Sequence, residues 1–184
     1  APALLAVFVW LSSPEVLGAV LLAALCHELG HYAALRRRGG WVRAVRISAL
    51  GAEMQVAGRM NYGGELLAAA AGPAVNLLLA AARGLLGRWW EPLYLLGGFN
   101  LLPILPLDGG RMLWLALCWG TDPFLADRVA QAVSLAAAGL LTVAGAALAR
   151  RSPFLLWTAA ALLVCAAAPC IKRRRSVYAS HKGG

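Results

Sequence analysis

Residues 26–38 read CHELGHYAALRRR. His27, Glu28 and His31 make an H-E-x-x-H pattern. Residues four apart on a helix share a face. Two imidazoles so placed can bind one Zn²⁺, and Glu28 beside them can act as general base on a water that the ion activates. The pattern uses two of the three histidines; the third, His181, is near the C-terminus. The residues before it, VLGAVLLAAL, carry no polar side chain. Ionisable groups are costly in a lipid-embedded helix and read by default as functional. His27 precedes Arg36 by nine residues, which puts it about 13 Å inside a basic boundary. The plain alternatives are a polar cluster that bonds a neighbouring helix or the mere end of a span; that depth is too great for an unpaired interfacial residue, and metal binding is the reading favoured.

A catalytic zinc usually takes a third protein ligand and keeps one position for water. Of the eight acidic residues, six (Glu15, Glu53, Glu65, Glu91, Asp122, Asp127) fall in loops or near segment ends, where a solvated charge suffices. Besides Glu28, only Asp108 falls inside an apolar segment. It follows Pro103 and Pro106 and precedes Gly109-Gly110, a composition that means unwound backbone at membrane depth. An N-cap role is the plain alternative, but capping does not explain a carboxylate kept in lipid. Asp108 is therefore read as the third ligand. Asn76 and Asn100 could simply bond helices together. Both are also candidates for contact with substrate; Asn100, next to the unwound stretch, could reach substrate backbone or an oxyanion. Arg111 is read as a cavity or pairing residue without a catalytic role.

These groups need a scaffold, and composition says which. The chain has 184 residues, 61% of them hydrophobic and 14% charged, too apolar for a soluble domain of this size. The expectation is one all-α polytopic membrane domain over 1–171, followed by a basic tail at 172–184. Six apolar segments are read, at about 2–12, 14–36, 63–86, 92–119, 124–149 and 153–171. The first is short for a span, so that helix is either clipped or tilted. Gly72-Pro73 is expected to interrupt the third segment, and NLLPILPLDGG breaks the fourth. Residues 39–61 read as a short β-hairpin or loop at the membrane surface, turning near Leu50-Gly51.

The net charge of +9 does not imply nucleic acid, because the cations cluster between apolar runs. Twelve of the seventeen follow segments two, four and six, and Arg83, Arg88, Arg150 and Arg151 lie on the other side. The positive-inside rule then places both termini and the 39–61 loop in the cytoplasm, with the zinc site near that side of a bacterial cell membrane. The four cysteines form no CxxC pair and read as packing residues; Cys26, beside the His cluster, could line the site.

The motifs HELGH (27–31), AGPAVN (71–76) and FNLLPILPLDGGR (99–111) together resemble the site-2 protease family of intramembrane zinc metalloproteases, most closely its stage IV sporulation protein FB branch. The motifs support the resemblance over about residues 1–120. It implies cleavage of a membrane-spanning or membrane-associated protein. Zinc would be held by His27, His31 and Asp108, and Glu28 would be the base. Asn100, Pro103 and Pro106 would border the substrate cleft, and the 41–60 loop would meet substrate, holding it extended at a free strand edge. In the sporulation branch the substrate is a pro-sigma factor, and regulatory membrane partners would fit such a role. No insertion is large enough for a PDZ domain, and the CBS domain of the sporulation branch is not expected in these residues. A membrane zinc-binding or transport protein using the same three ligands is the competing reading, with an inactive scaffold as a third. A transporter has no need of Glu28.

Overall fold

A computed structural model describes residues 14–48, 51–57, 60–82 and 90–148, with side chains left aside over 42–59. These residues form five helices and two strands: α1 (Pro14–Arg37), β1 (Trp41–Ser48), β2 (Gly51–Ala57), α2 (Tyr62–Ala81), α3 (Trp90–Asn100), α4 (Asp108–Gly120) and α5 (Pro123–Leu148). Contacts divide the chain into two compact units, Ala1–Leu101 and Leu102–Gly184.

Three helices, α1, α2 and α5, are long and apolar enough to cross a bilayer. At 24 residues, α1 is about 36 Å long. Leu21, Leu25 and Leu29 lie exposed along it; on a membrane protein such a stripe faces lipid. The six membrane helices expected from hydropathy reduce to these three spans among the described residues. The segments at 2–12 and 153–171 lie outside them. The expected fourth segment is two short helices, α3 and α4, joined by the proline-rich turn. Neither has the length to span, because the prolines and glycines between them cannot extend a helix.

In the first unit α1, α2 and α3 pack together around Ala23, Ala80 and Leu93, with Cys26 and Leu96 against them. Cys26 thus has a packing role in this core. α1 stops at Gly39, whose φ of +78° suits a residue without a Cβ. The Gly40 amide then donates to Leu35 O at 3.1 Å, closing the helix end. β1 and β2 follow as an antiparallel pair, with Trp41 opposite Ala57 and Ser48 opposite Gly51, irregular between Val42 and Ala44. The turn expected at Leu50-Gly51 involves residues 49–50, outside the described set.

Asn61 caps α2, its side chain accepting from the Gly64 amide at 2.8 Å. The interruption expected at Gly72-Pro73 does not occur: α2 runs unbroken through Pro73. Proline removes only the hydrogen bond that residue 73 would give to Ala69, and adjacent turns and packed neighbours keep the helix continuous. α3 lies against this stretch at Gly97, where a Cβ would come within 3.1 Å of Asn76 and Leu77 side chains and 3.2 Å of the Pro73 carbonyl.

In the second unit α4 and α5 pack along Leu115 and Cys118 on one side and Ala126, Ala130, Ser134 and Ala138 on the other, all buried. The four-residue spacing on α5 makes one continuous inward stripe. The turn before α4 is tied to both helices. Ile104 is fully buried, and the 104–105 backbone lies so close to Gly110 that a Cβ there would stand 2.5 Å from Ile104 C and Leu105 N.

Candidate metal centre

His27 and His31 lie one turn apart in the second half of α1. Their Nε2 atoms are 3.1 Å apart, and their rings stand nearly perpendicular at 85°. Two nitrogen ligands of one tetrahedral zinc, each near 2.0–2.1 Å from it, stand about 3.3 Å apart. The pair therefore fits a single small ion without rearrangement. His27 is buried and His31 half-buried. Glu28, half-buried, is the next residue on the same helix.

The face of α2 opposite this pair supplies the partners. His31 Nδ1 is 2.8 Å from the Ala68 carbonyl. A carbonyl only accepts, so Nδ1 carries the proton, which in the neutral ring leaves the lone pair on Nε2. Gly72 lies under the same ring: a Cβ there would run into the His31 imidazole. Asn76, one turn further and fully buried, has its side-chain amide 3.5 Å from His27 Nδ1. The two helices thus run antiparallel in matched steps, with His31 facing Gly72, His27 facing Asn76, and Ala23 meeting Ala80 in the core below. Gly30 lets them close: a Cβ there would be 2.8 Å from the Ala71 carbonyl and 3.0 Å from Val75 Cγ2. The glycine inside HELGH and the one in AGPAVN are therefore needed for approach, as at small-residue contacts between membrane helices.

Asn100 is the last residue of α3, half-buried, and its Nδ2 donates to Leu96 O at 3.1 Å. Pro103 is half-buried and Pro106 exposed in the turn before α4. Asp108 is the first residue of α4, and the N-cap is Leu107, with no side-chain capping bond. The capping role weighed for Asp108 thus belongs to its neighbour's position. Two partners of this machinery were not legible in the sequence. One is the Ala68 carbonyl, which has no side-chain signature. The other is Ser134 of α5: fully buried, its Oγ accepts from the Leu105 amide at 2.9 Å and donates to Pro103 O at 3.4 Å. A serine in an alanine-rich span, four residues from Ala130 and Ala138, was its only signal.

No family model matches the chain. It is 37% identical over 115 residues to "Putative zinc metalloprotease Rip3" of Mycobacterium tuberculosis, covering 52% of this chain and 29% of that protein. It is 27% identical over 108 residues to zinc metalloprotease MJ0392 of Methanocaldococcus jannaschii, covering 51% of this chain and 32% of that protein. The chain thus spans about a third of the length of these curated relatives. Among solved structures, a site-2 protease from Methanocaldococcus jannaschii superposes with a TM-score of 0.69 at 19% identity, over 89% of this chain and 82% of that one. None of these names refers to sporulation. The chain is a membrane protein with the fold of that site-2 protease and with sequence likeness to named zinc metalloproteases over about half its length.

Proposed function

We propose that the chain is the core of an intramembrane zinc metalloendopeptidase. The observation that carries this is the imidazole pair itself: two Nε2 atoms 3.1 Å apart, sunk in an apolar helix, with Glu28 beside them. His27 and His31 would hold Zn²⁺, and Asp108, the acidic group of the second unit's first helix, would be the third ligand. When bound, the ion polarises the scissile carbonyl and makes water acidic enough to react near neutral pH. Glu28 accepts a proton from the attacking water as its oxygen bonds to the carbonyl carbon. It then returns that proton to the departing amide nitrogen as the C–N bond breaks. His31, tethered to Ala68 O, keeps its lone pair on the metal side throughout.

The substrate class that suits a site at this depth is a membrane-spanning or membrane-associated protein, with a pro-sigma factor as the first candidate. Asn100, Pro103 and Pro106 would border its path. β1 and β2 form a two-stranded sheet among the described residues, and an outer strand edge offers unpaired backbone groups that would hold a substrate extended. Basic residues Arg36–Arg38 at the end of α1 support a site near the cytoplasmic face, and by the same charge bias both termini would lie on that side.

The test is Glu28→Gln in the purified protein. Cleavage of membrane-associated proproteins should fall by about 10²–10⁴-fold, the usual worth of a positioned general base, while zinc content stays at the parent level. Cleavage at the parent rate would refute the mechanism.

A further inference from the structure

The two imidazoles are held differently. His31 Nδ1 faces a carbonyl, which can only accept a hydrogen bond. His27 Nδ1 faces a side-chain amide, which offers either a donor or an acceptor. Asn76 is fully buried, and its Oδ1 has no hydrogen-bond partner among the described residues. Its Nδ2 stands 3.5 Å from His27 Nδ1. A half-turn of a carboxamide exchanges oxygen and nitrogen with almost no movement of either position, and which one occupies a site is decided by the hydrogen bonds it must make. For His27 to offer a lone pair at Nε2, its proton must sit on Nδ1. An Nδ1–H needs an acceptor, and Oδ1 is the acceptor this residue has to give.

Resting on the zinc-site reading above, we infer that Asn76 is the positioning residue of His27: its Oδ1 accepts Nδ1–H and holds the ring in the tautomer that ligates through Nε2. With Oδ1 in the place Nδ2 now takes, 3.5 Å from His27 Nδ1, the contact would close toward the usual hydrogen-bond length of about 2.9 Å. This assigns Asn76 a task different from the substrate contact expected of it, because a side chain without exposed surface has no face to offer a substrate. It also gives the paired spacing a meaning. Gly72 and Asn76, four apart on α2, serve His31 and His27, four apart on α1: one by making room for a ring, the other by fixing a proton.

Zinc affinity of the purified full chain in detergent, measured by competition with a chromophoric chelator, separates the possibilities. Asn76→Leu should weaken zinc binding by about 10–100-fold, the usual effect of losing the hydrogen-bond partner of a ligating histidine. Asn76→Asp keeps an acceptor at the same place and should bind zinc as tightly as the parent or more so. A residue that only joins two helices gives the reverse order: leucine fills the space and zinc is kept, while the buried carboxylate disrupts the contact and zinc is lost. That order would overturn the inference. His27→Ala serves as the reference. If it leaves zinc affinity unchanged, the metal-site reading itself fails. If it abolishes zinc binding while Asn76→Leu does not, only the role of Asn76 fails. Should Asn76→Leu not fold, Asn76→Asp decides alone, and a tenfold or greater loss of zinc affinity there overturns the assignment.

Discussion

Gly72→Ala adds one methyl group, and the structure makes its effect calculable. The new Cβ would stand 2.6 Å from His31 Cε1 and 2.7 Å from Cδ2. Carbon atoms rest about 3.5–4.0 Å apart, so the ring must retreat by about 1 Å. Zinc ligands tolerate displacements of only about 0.2 Å. The retreat also pulls Nδ1 from Ala68 O, which it now meets at 2.8 Å. Two terms oppose each other in stability. Alanine gains about 0.8–1 kcal/mol over glycine in a helix interior, while forcing a methyl into a packed contact costs about 1–3 kcal/mol. The net change in folding stability is therefore small or modestly unfavourable, whereas zinc affinity should drop by at least an order of magnitude. The assay is chelator competition on purified protein, with thermal unfolding run in parallel. Gly98→Ala is the control, since its added methyl meets nothing within 4 Å. Parent-like zinc affinity in Gly72→Ala, or an equal loss in Gly98→Ala, would refute the reasoning.

Two further outcomes follow from the second unit. Asp108→Asn, nearly isosteric but uncharged, should lower the zinc content of purified protein by about tenfold or more at limiting metal, read by elemental analysis, because a neutral amide is a poorer zinc ligand than a carboxylate. Ser134→Ala should destabilise the protein by about 1–3 kcal/mol, the cost of leaving a buried backbone group unsatisfied, while Ser134→Thr, which keeps the hydroxyl, should cost less. Thermal unfolding in detergent checks both, and equal stability of Ser134→Ala and parent would show that Ser134 does not brace the turn.

The chemistry was more legible than the frame that holds it. HELGH carries its own geometry, because four-residue spacing on a helix determines which side chains meet. Asp108 stood out because a carboxylate among apolar residues is expensive. Hydropathy found the apolar stretches, and the prolines and glycines of NLLPILPLDGG marked the break in the fourth, where α3 ends and α4 begins; what hydropathy did not show is that neither half is long enough to span. Pro73 misled in the opposite sense. Its local cost suggests a break, yet one missing hydrogen bond is a small loss in a helix packed on two sides. Least visible were the partners across helices. Ala68 contributes a backbone carbonyl, and Ser134 is one small residue in a run of alanines. Asn76 is visible as a polar residue in an apolar run, but nothing in the one-dimensional pattern tells which histidine it faces.

The matched steps of α1 and α2 have a mechanical consequence. Each histidine finds its counterpart only at one sliding position, and the nearest equivalent position lies a full helical turn, about 5.4 Å, away. There Asn76 would meet the wrong ring. A shift of even a fraction of that distance takes His31 from its carbonyl and His27 from its amide together. The pair of helices therefore behaves as a ratchet with one working notch: the site is lost as a unit, and any agent that changes the register of α1 on α2 would switch both imidazoles at once.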